Sequence, residues 1–243
     1  RDVLGSRGLG DVYKRQVRMR YYNADGGEAE MCGNGARCFS NFAAALLHHD
    51  KTTPLPFETM AGVVTATFEK DGNVTVNLTN PHSMQLFVLN ADPTVGADVH
   101  FLNTGVPHAV AFLDKLEGLD ISRLGAYLRY HEAFSPKGTN ANFARILSPG
   151  HIAIRTYERG VEDETLACGT GMTACALLHA VLTDAPSPIQ VDVAGGDTLK
   201  VGFQRTGDRF TDVTLTGPAD LVFTGDTVSY THLRAHETLR HLV

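Results

Sequence analysis

The chain has 243 residues, 43% of them apolar and 20% charged, with a formal net charge of −6. That length allows one large domain or two small ones, and the acidic balance excludes a nucleic-acid surface built on general electrostatics. No run of about 18 apolar residues is present to cross a membrane as a helix, and four cysteines in this length make no disulfide framework.

With no charged-then-apolar leader at the opening, the reading is a cytoplasmic protein with free thiols. Two stretches, 1–16 and 228–243, lack clear periodicity and read as foreign scars. Both are net basic, so the remainder is more acidic still.

In chain order, 17–23 predicts a short strand ending at the turn-rich Asn23-Ala24-Asp25-Gly26-Gly27. Met31-Cys32-Gly33-Asn34-Gly35 then opens a helical run. There Phe39, Phe42, Ala43 and Leu46 fall at i, i+3, i+4 and i+7, which predicts the apolar face. Residues 63–69 and 73–79 alternate around Lys70-Asp71-Gly72, a β-hairpin. Segments 86–89 and 109–113 read as strands, and 119–130 as a helix starting near Asp120 or Ser122.

The second half repeats this order. A strand over 151–157 and charged turn residues lead to Ala167-Cys168-Gly169-Thr170-Gly171. A helix follows with Ala174, Leu177, Leu178 and Val181 on one face. Strands over 189–194 and 198–203 flank Gly195-Gly196-Asp197, and 211–216 closes the pattern. Each half therefore runs strand, turn, Cys-Gly-x-Gly, helix, hairpin. Such a repeat is too long for a solenoid unit. It predicts an α+β fold of two pseudo-symmetric domains, each a mixed or antiparallel sheet around a central helix, with a site in the cleft that receives one cysteine from each.

Two convergent thiols suit proton transfer on opposite faces of one carbon, because each can act as acid or base in turn. A cysteine at a helix N-terminus meets unpaired backbone N–H groups and a favourable dipole. Flanking glycines let the backbone approach a ligand, and the same N–H groups suit a carboxylate and the enolate-like charge of a deprotonated centre.

Other readings are weaker. Cys38 and Cys175, further along the helices, read as inert packing. The gaps C-x5-C and C-x6-C miss the usual zinc spacing, no C-x-x-C occurs, and neither Gly-rich turn carries the lysine of a phosphate loop.

At these residues the sequence resembles diaminopimelate epimerases. Tyr22-Asn23-Ala24-Asp25-Gly26 through Cys38 is similar to that family's first signature, and Tyr157-Glu158-Arg159-Gly160 through Gly171 to its second. Between them, Asn103-Thr104-Gly105-Val106-Pro107-His108 and Asn140-Ala141-Asn142-Phe143 are similar to two further segments. The resemblance implies a cofactor-independent isomerase interconverting LL- and meso-diaminopimelate in lysine and peptidoglycan-precursor biosynthesis, with Cys32 and Cys168 as the base and acid pair. It implies that Asn34, Gly35, Gly169 and Thr170 hold the reacting carboxylate. By the same carry-over Asn23, Asn140 and Arg159 grip the distal end, and His108 and Glu158 sit by the reacting amine.

The implied partner is a small amino-acid substrate, with no metal, nucleic acid or membrane; a homodimer is left open. The chain departs from the family at Val106, where Asn is usual, and in lacking the family's opening strands. The division expected is 17–90 as an incomplete N-terminal domain, 91–218 as the C-terminal domain and 219–227 as a return to the first. Low activity is the corresponding expectation for this polypeptide. Rival readings are a proline- or hydroxyproline-like racemase, a non-catalytic binding relative and a redox-sensing thiol pair.

Overall fold

The computed structural model describes residues 17–22, 26–29 and 31–224. The stretches 1–16 and 228–243, and the turn residue Asn23, lie outside the described residues.

The first half opens with β1 (Tyr21–Tyr22) paired to β2 (Glu28–Ala29), then α1 (Gly33–Leu46) and an antiparallel meander of β3 (Leu55–Thr59), β4 (Gly62–Phe68) and β5 (Val74–Asn77). The long middle section contains β6 (His82–Asp92), β7 (Ala97–Asn103), β8 (Pro107–Phe112), α2 (Ile121–Arg129) and β9 (Asn140–Ser148). β10 (His151–Glu158) and β11 (Asp163–Thr165) form a hairpin before α3 (Gly169–Thr183). A second antiparallel meander follows: β12 (Ile189–Asp192), β13 (Thr198–Thr206) and β14 (Arg209–Gly217). Asp120 caps α2, its carboxylate accepting from the Arg123 N–H.

The strands other than β1 and β2 form one sheet in the order β3-β4-β5-β14-β13-β12-β10-β9-β8-β7-β6, with β11 added to β10. Two neighbouring pairs are parallel, β8 with β9 and β10 with β12. Parallel neighbours need a crossover; α2 lies within the first and α3 within the second. The second crossover lays α3 against strands of the sheet from β7 to β14. Its residues from Gly171 to Ala180 are all buried. The helix is therefore enclosed on every side, more fully than the single face of Ala174, Leu177, Leu178 and Val181 anticipates.

The repeat is visible in three dimensions. In each half a short strand leads to Cys-Gly-x-Gly, a helix and a three-stranded meander. The last strands of the two meanders pair with each other, antiparallel, in the register Leu215↔Val76 and Thr216↔Thr75. The Thr75 and Thr216 hydroxyls meet across this seam at 2.7 Å. The fold is α+β, with two pseudo-symmetric parts around helices α1 and α3.

The α1 face differs from the periodicity reading. Phe42 and Leu46 are 64% and 63% exposed, while Gly33, Ala36, Arg37, Ser40, Ala43 and Ala44 are buried. The helix packs on β4, β5 and α3 through its small residues, since these allow close approach where a large side chain would hold the elements apart. Phe39 alone of the three large residues stays partly inside, its ring 5.0 Å from that of Phe57.

Candidate active site

Each helix begins at a cysteine. Cys32 caps α1 and Cys168 caps α3, both with extended backbone (φ −137°, ψ 115° and φ −118°, ψ 111°). Cysteine caps a helix less well than Ser, Thr, Asp or Asn, so its use at both equivalent places points to the thiol. Cys32 is half-buried, and its Sγ accepts from the Gly35 N–H at 3.4 Å. Cys168 is buried, with Sγ 3.5 Å from the Thr170 hydroxyl.

The two N-termini converge because the residues after the cysteines are glycines. A Cβ placed on Gly169 lies 3.4 Å from the Gly33 Cα and 3.2 Å from Leu215 Cδ2, the seam residue packed beneath both. Asn34 reaches from one helix to the other, donating to the Ala167 carbonyl at 3.2 Å. The Thr104 hydroxyl donates to the Thr170 carbonyl at 3.0 Å, tying β7 to the first turn of α3.

Both cysteines line one cavity of about 1100 Å³. Asn34, Asn140, Glu158, Arg159, Gly169 and Thr170 share its wall. Asn140 works through the backbone: its Oδ1 accepts from the Arg159 N–H at 2.8 Å and its Nδ2 donates to the Pro107 carbonyl at 2.9 Å. The Arg159 guanidinium donates to the Lys137 carbonyl at 3.3 Å. Glu158 accepts from the Thr165 hydroxyl at 2.7 Å. Val106 also stands on the wall.

Two sequence-predicted residues stand behind the wall. The Gly35 N–H is given to Cys32 Sγ. His108 on β8 is fully buried, with its Nδ1 against Asn142. Burial, then the positive charge of Arg159, depresses its pKa to about 3. Of the remaining cysteines, Cys175 is fully buried, as packing predicts, but Cys38 is exposed because it follows the buried Arg37 around to the outer side of α1.

Burial, then the negative charge of Glu158, pushes the Cys168 thiol up to about 12, so it is protonated in the free protein. By helix geometry the N–H groups of Asn34, Gly169 and Thr170 have no partner within their own helices. They form a ready anion site beside the two thiols. The arrangement can hold a carboxylate at the paired N-termini with a sulfur from each half beside it.

Sequence reasoning missed three residues. Tyr21 lines the cavity, and its phenol is held above its usual pKa, first by Cys32. Thr104 is 2% exposed and Asn142 fully buried. Both lie in the quoted segments, but nothing in their spacing marks them.

The fold is shared with several solved structures. A probable proline racemase from Agrobacterium radiobacter K84 superposes with a TM-score of 0.60 at 21% identity, covering 81% of this chain and 67% of that one. A Bacillus anthracis phenazine biosynthesis protein of the PhzF family gives 0.61 at 14% identity, covering 83% and 77%. At such identities the likeness concerns architecture alone, two pseudo-symmetric halves.

The sequence comparisons narrow this. The diaminopimelate epimerase family profile matches residues 6–84 and 100–222. The Hydrogenobaculum sp. (strain Y04AAS1) diaminopimelate epimerase is 42% identical over 217 residues, 87% of this chain and 75% of that protein. The Aquifex aeolicus (strain VF5) enzyme of the same name is 41% identical, covering 88% and 76%. The chain belongs to the diaminopimelate epimerase family, a family of isomerases. Among the described residues no helix is long and apolar enough to cross a membrane.

Proposed function

We propose that this protein interconverts LL- and meso-diaminopimelate without a cofactor, inverting one Cα through Cys32 and Cys168. The observation that carries the reading is the meeting of the two cysteine-capped helix N-termini, through Gly33 and Gly169, on the wall of one cavity.

In this reading the substrate carboxylate sits on the free N–H groups of Asn34, Gly169 and Thr170, which also stabilise charge that spreads into it when the Cα proton leaves. One sulfur, as thiolate, takes that proton. The other, as thiol, delivers one to the opposite face. Cys168, held protonated, enters as the acid, which leaves the base to Cys32. After inversion the two have exchanged protonation states, so the pair is set for the reverse direction. Glu158 receives the reacting ammonium, and Arg159, set by Asn140, receives the distal carboxylate.

The domain division at 90, with the chain returning to the first half at 219, belongs to the same proposal. Arg37 and Asn41 of α1 donate to the carbonyls of Pro218 and Ala219, at 3.3 and 2.7 Å, and support that return.

The test is deuterium incorporation at Cα of LL-diaminopimelate in D2O under reducing conditions, with no added cofactor. Exchange with inversion in the unsubstituted protein, lost in both Cys32→Ala and Cys168→Ala, is the expected result. Absence of exchange in folded protein with reduced thiols overturns the assignment, and exchange surviving in either variant overturns the two-thiol mechanism.

A further inference from the structure

Asn142 is wholly buried on β9, between β8 and β10. Its Nδ2 lies 3.0 Å from the Ala109 carbonyl oxygen and 3.1 Å from His108 Nδ1. Its Oδ1 accepts from the Thr156 hydroxyl at 3.0 Å. A backbone carbonyl can only accept, so the atom facing Ala109 must be the amide nitrogen, and the orientation of the amide is fixed by the backbone. That nitrogen carries two hydrogens. One goes to Ala109 and the other faces His108 Nδ1, which is therefore an acceptor.

A neutral imidazole accepts at one nitrogen and donates at the other. With Nδ1 accepting, the proton is on Nε2. That Nε2 is buried and has no partner among the described residues, so within them it is a donor without an acceptor. A buried donor left without an acceptor is destabilising where it stands, and an acceptor that reaches it relieves that cost. Asn142 also lies directly under the first turn of α3: a Cβ on Gly171 would run into its Oδ1. The tautomer of His108 and the seat of the Cys168 helix are thus set by one side chain.

We infer that Asn142 is a positioning residue that locks His108, buried behind the cavity wall, as the neutral Nε2–H tautomer, leaving its Nε2 able to donate a hydrogen bond and unable to accept one. The inference rests on the epimerase reading for its functional consequence. If His108 reaches the reacting amine, this tautomer offers it no acceptor, because an imidazole N–H turned towards an ammonium is repulsive. Glu158, which lines the cavity, is the group suited to that role. The acceptor suited to Nε2–H is anionic: the substrate carboxylate, the charge developing on it, or a thiolate. Among the charges near the ring, Arg159 disfavours the imidazolium, which keeps His108 in the neutral form the donor role requires.

The experiment is a long-range 15N–1H correlation spectrum of the full chain with 15N-labelled histidine, with the His108 signals assigned by their loss in His108→Gln. In the unsubstituted protein Nδ1 should be of the pyridine type and Nε2 of the pyrrole type, unchanged between pH 8 and roughly pH 5. Asn142→Asp, whose carboxylate cannot donate, should move the proton to Nδ1 or charge the ring. It should also lower kcat for Cα exchange roughly tenfold or more with KM within about twofold. A pyrrole-type Nδ1 or a charged ring in the unsubstituted protein overturns the inference even where the Asp variant does not fold. An unaltered tautomer in a folded Asn142→Asp overturns the positioning role. The tautomer is read without turnover, so a protein that shows it but exchanges no Cα proton counts against the epimerase reading and not against this assignment.

Discussion

Gly33 and Gly169 meet back to back at the N-termini of α1 and α3, closely enough that a Cβ on Gly169 lies 3.4 Å from the Gly33 Cα. The contact sets the separation of the two caps, and so of Cys32 and Cys168. A methyl on Gly33 would stand 3.0 Å from Leu215 Cδ2, and Leu215 is fully buried in the seam between the two meanders. Gly33→Ala should therefore cost about 1–3 kcal/mol in denaturant unfolding, and Leu215→Val in the same chain should recover part of it. Additive effects of the two changes in a double-mutant cycle would show that the crowding does not exist.

Much of this arrangement was legible in the sequence. The repeat of Cys-Gly-x-Gly, helix and hairpin predicted two related halves with one thiol from each, because an N-terminal cysteine and close-approach glycines leave a local signature. The pairing of β5 with β14 left none, since strand partners distant in sequence are chosen by the whole sheet. The face of α1 was misjudged for a related reason. Periodicity counts large apolar residues such as Phe42 and Leu46, whereas this helix buries alanines and a glycine where elements must come close. His108 and Asn142 look alike in sequence, as single polar residues in short motifs. Only the register of β8 and β9, which sets Val110 opposite Asn142, brings them together.

The cysteines should differ sharply in reactivity. Thiolate is the alkylated form, so at pH 8 the exposed Cys38 should react with iodoacetamide, while the buried Cys168 and Cys175, both pushed up by burial, stay largely unmodified. Burial is the first cause of the high Cys168 pKa and the charge of Glu158 the second. Glu158→Gln removes the second cause. It should raise the Cys168 alkylation rate at pH 9 roughly tenfold, the equivalent of about one pKa unit. Peptide mass spectrometry over a time course gives the rates. Equal rates with and without the substitution would detach Glu158 from Cys168.

Acid should weaken the fold before the carboxylates titrate. His108 stays neutral down to about pH 3 when folded, whereas an unfolded histidine takes up its proton near pH 6.5. In this window the unfolded chain binds a proton that the folded chain refuses. The contribution is complete above about pH 6.5 and falls as pH drops, by up to about 1.4 kcal/mol per unit. The buried His100 and His179, also lowered first by burial, act in the same direction. Unfolding free energies at pH 7 and pH 5 should therefore differ less in His108→Gln than in the unsubstituted protein. Parallel pH dependences would mean that His108 is protonated in the folded state.

Tyr21 supplies the last prediction. It sits on β1 beside the Cys32 cap and lines the cavity. Its phenol is kept protonated first by the negative charge of a Cys32 thiolate, then by burial and by a hydrogen bond to the same sulfur. Glu158 and Cys168 add smaller contributions of the same sign. A phenol that holds its proton next to a thiolate is a donor to it, and in the proposed cycle that donor is needed only while Cys32 carries charge. Tyr21→Phe keeps the ring and deletes the donor. Since the lost contact is specific to one protonation state of the cycle, kcat for Cα exchange should fall roughly tenfold while KM stays within about twofold. A rate equal to that of the unsubstituted protein would reduce Tyr21 to part of the cavity wall.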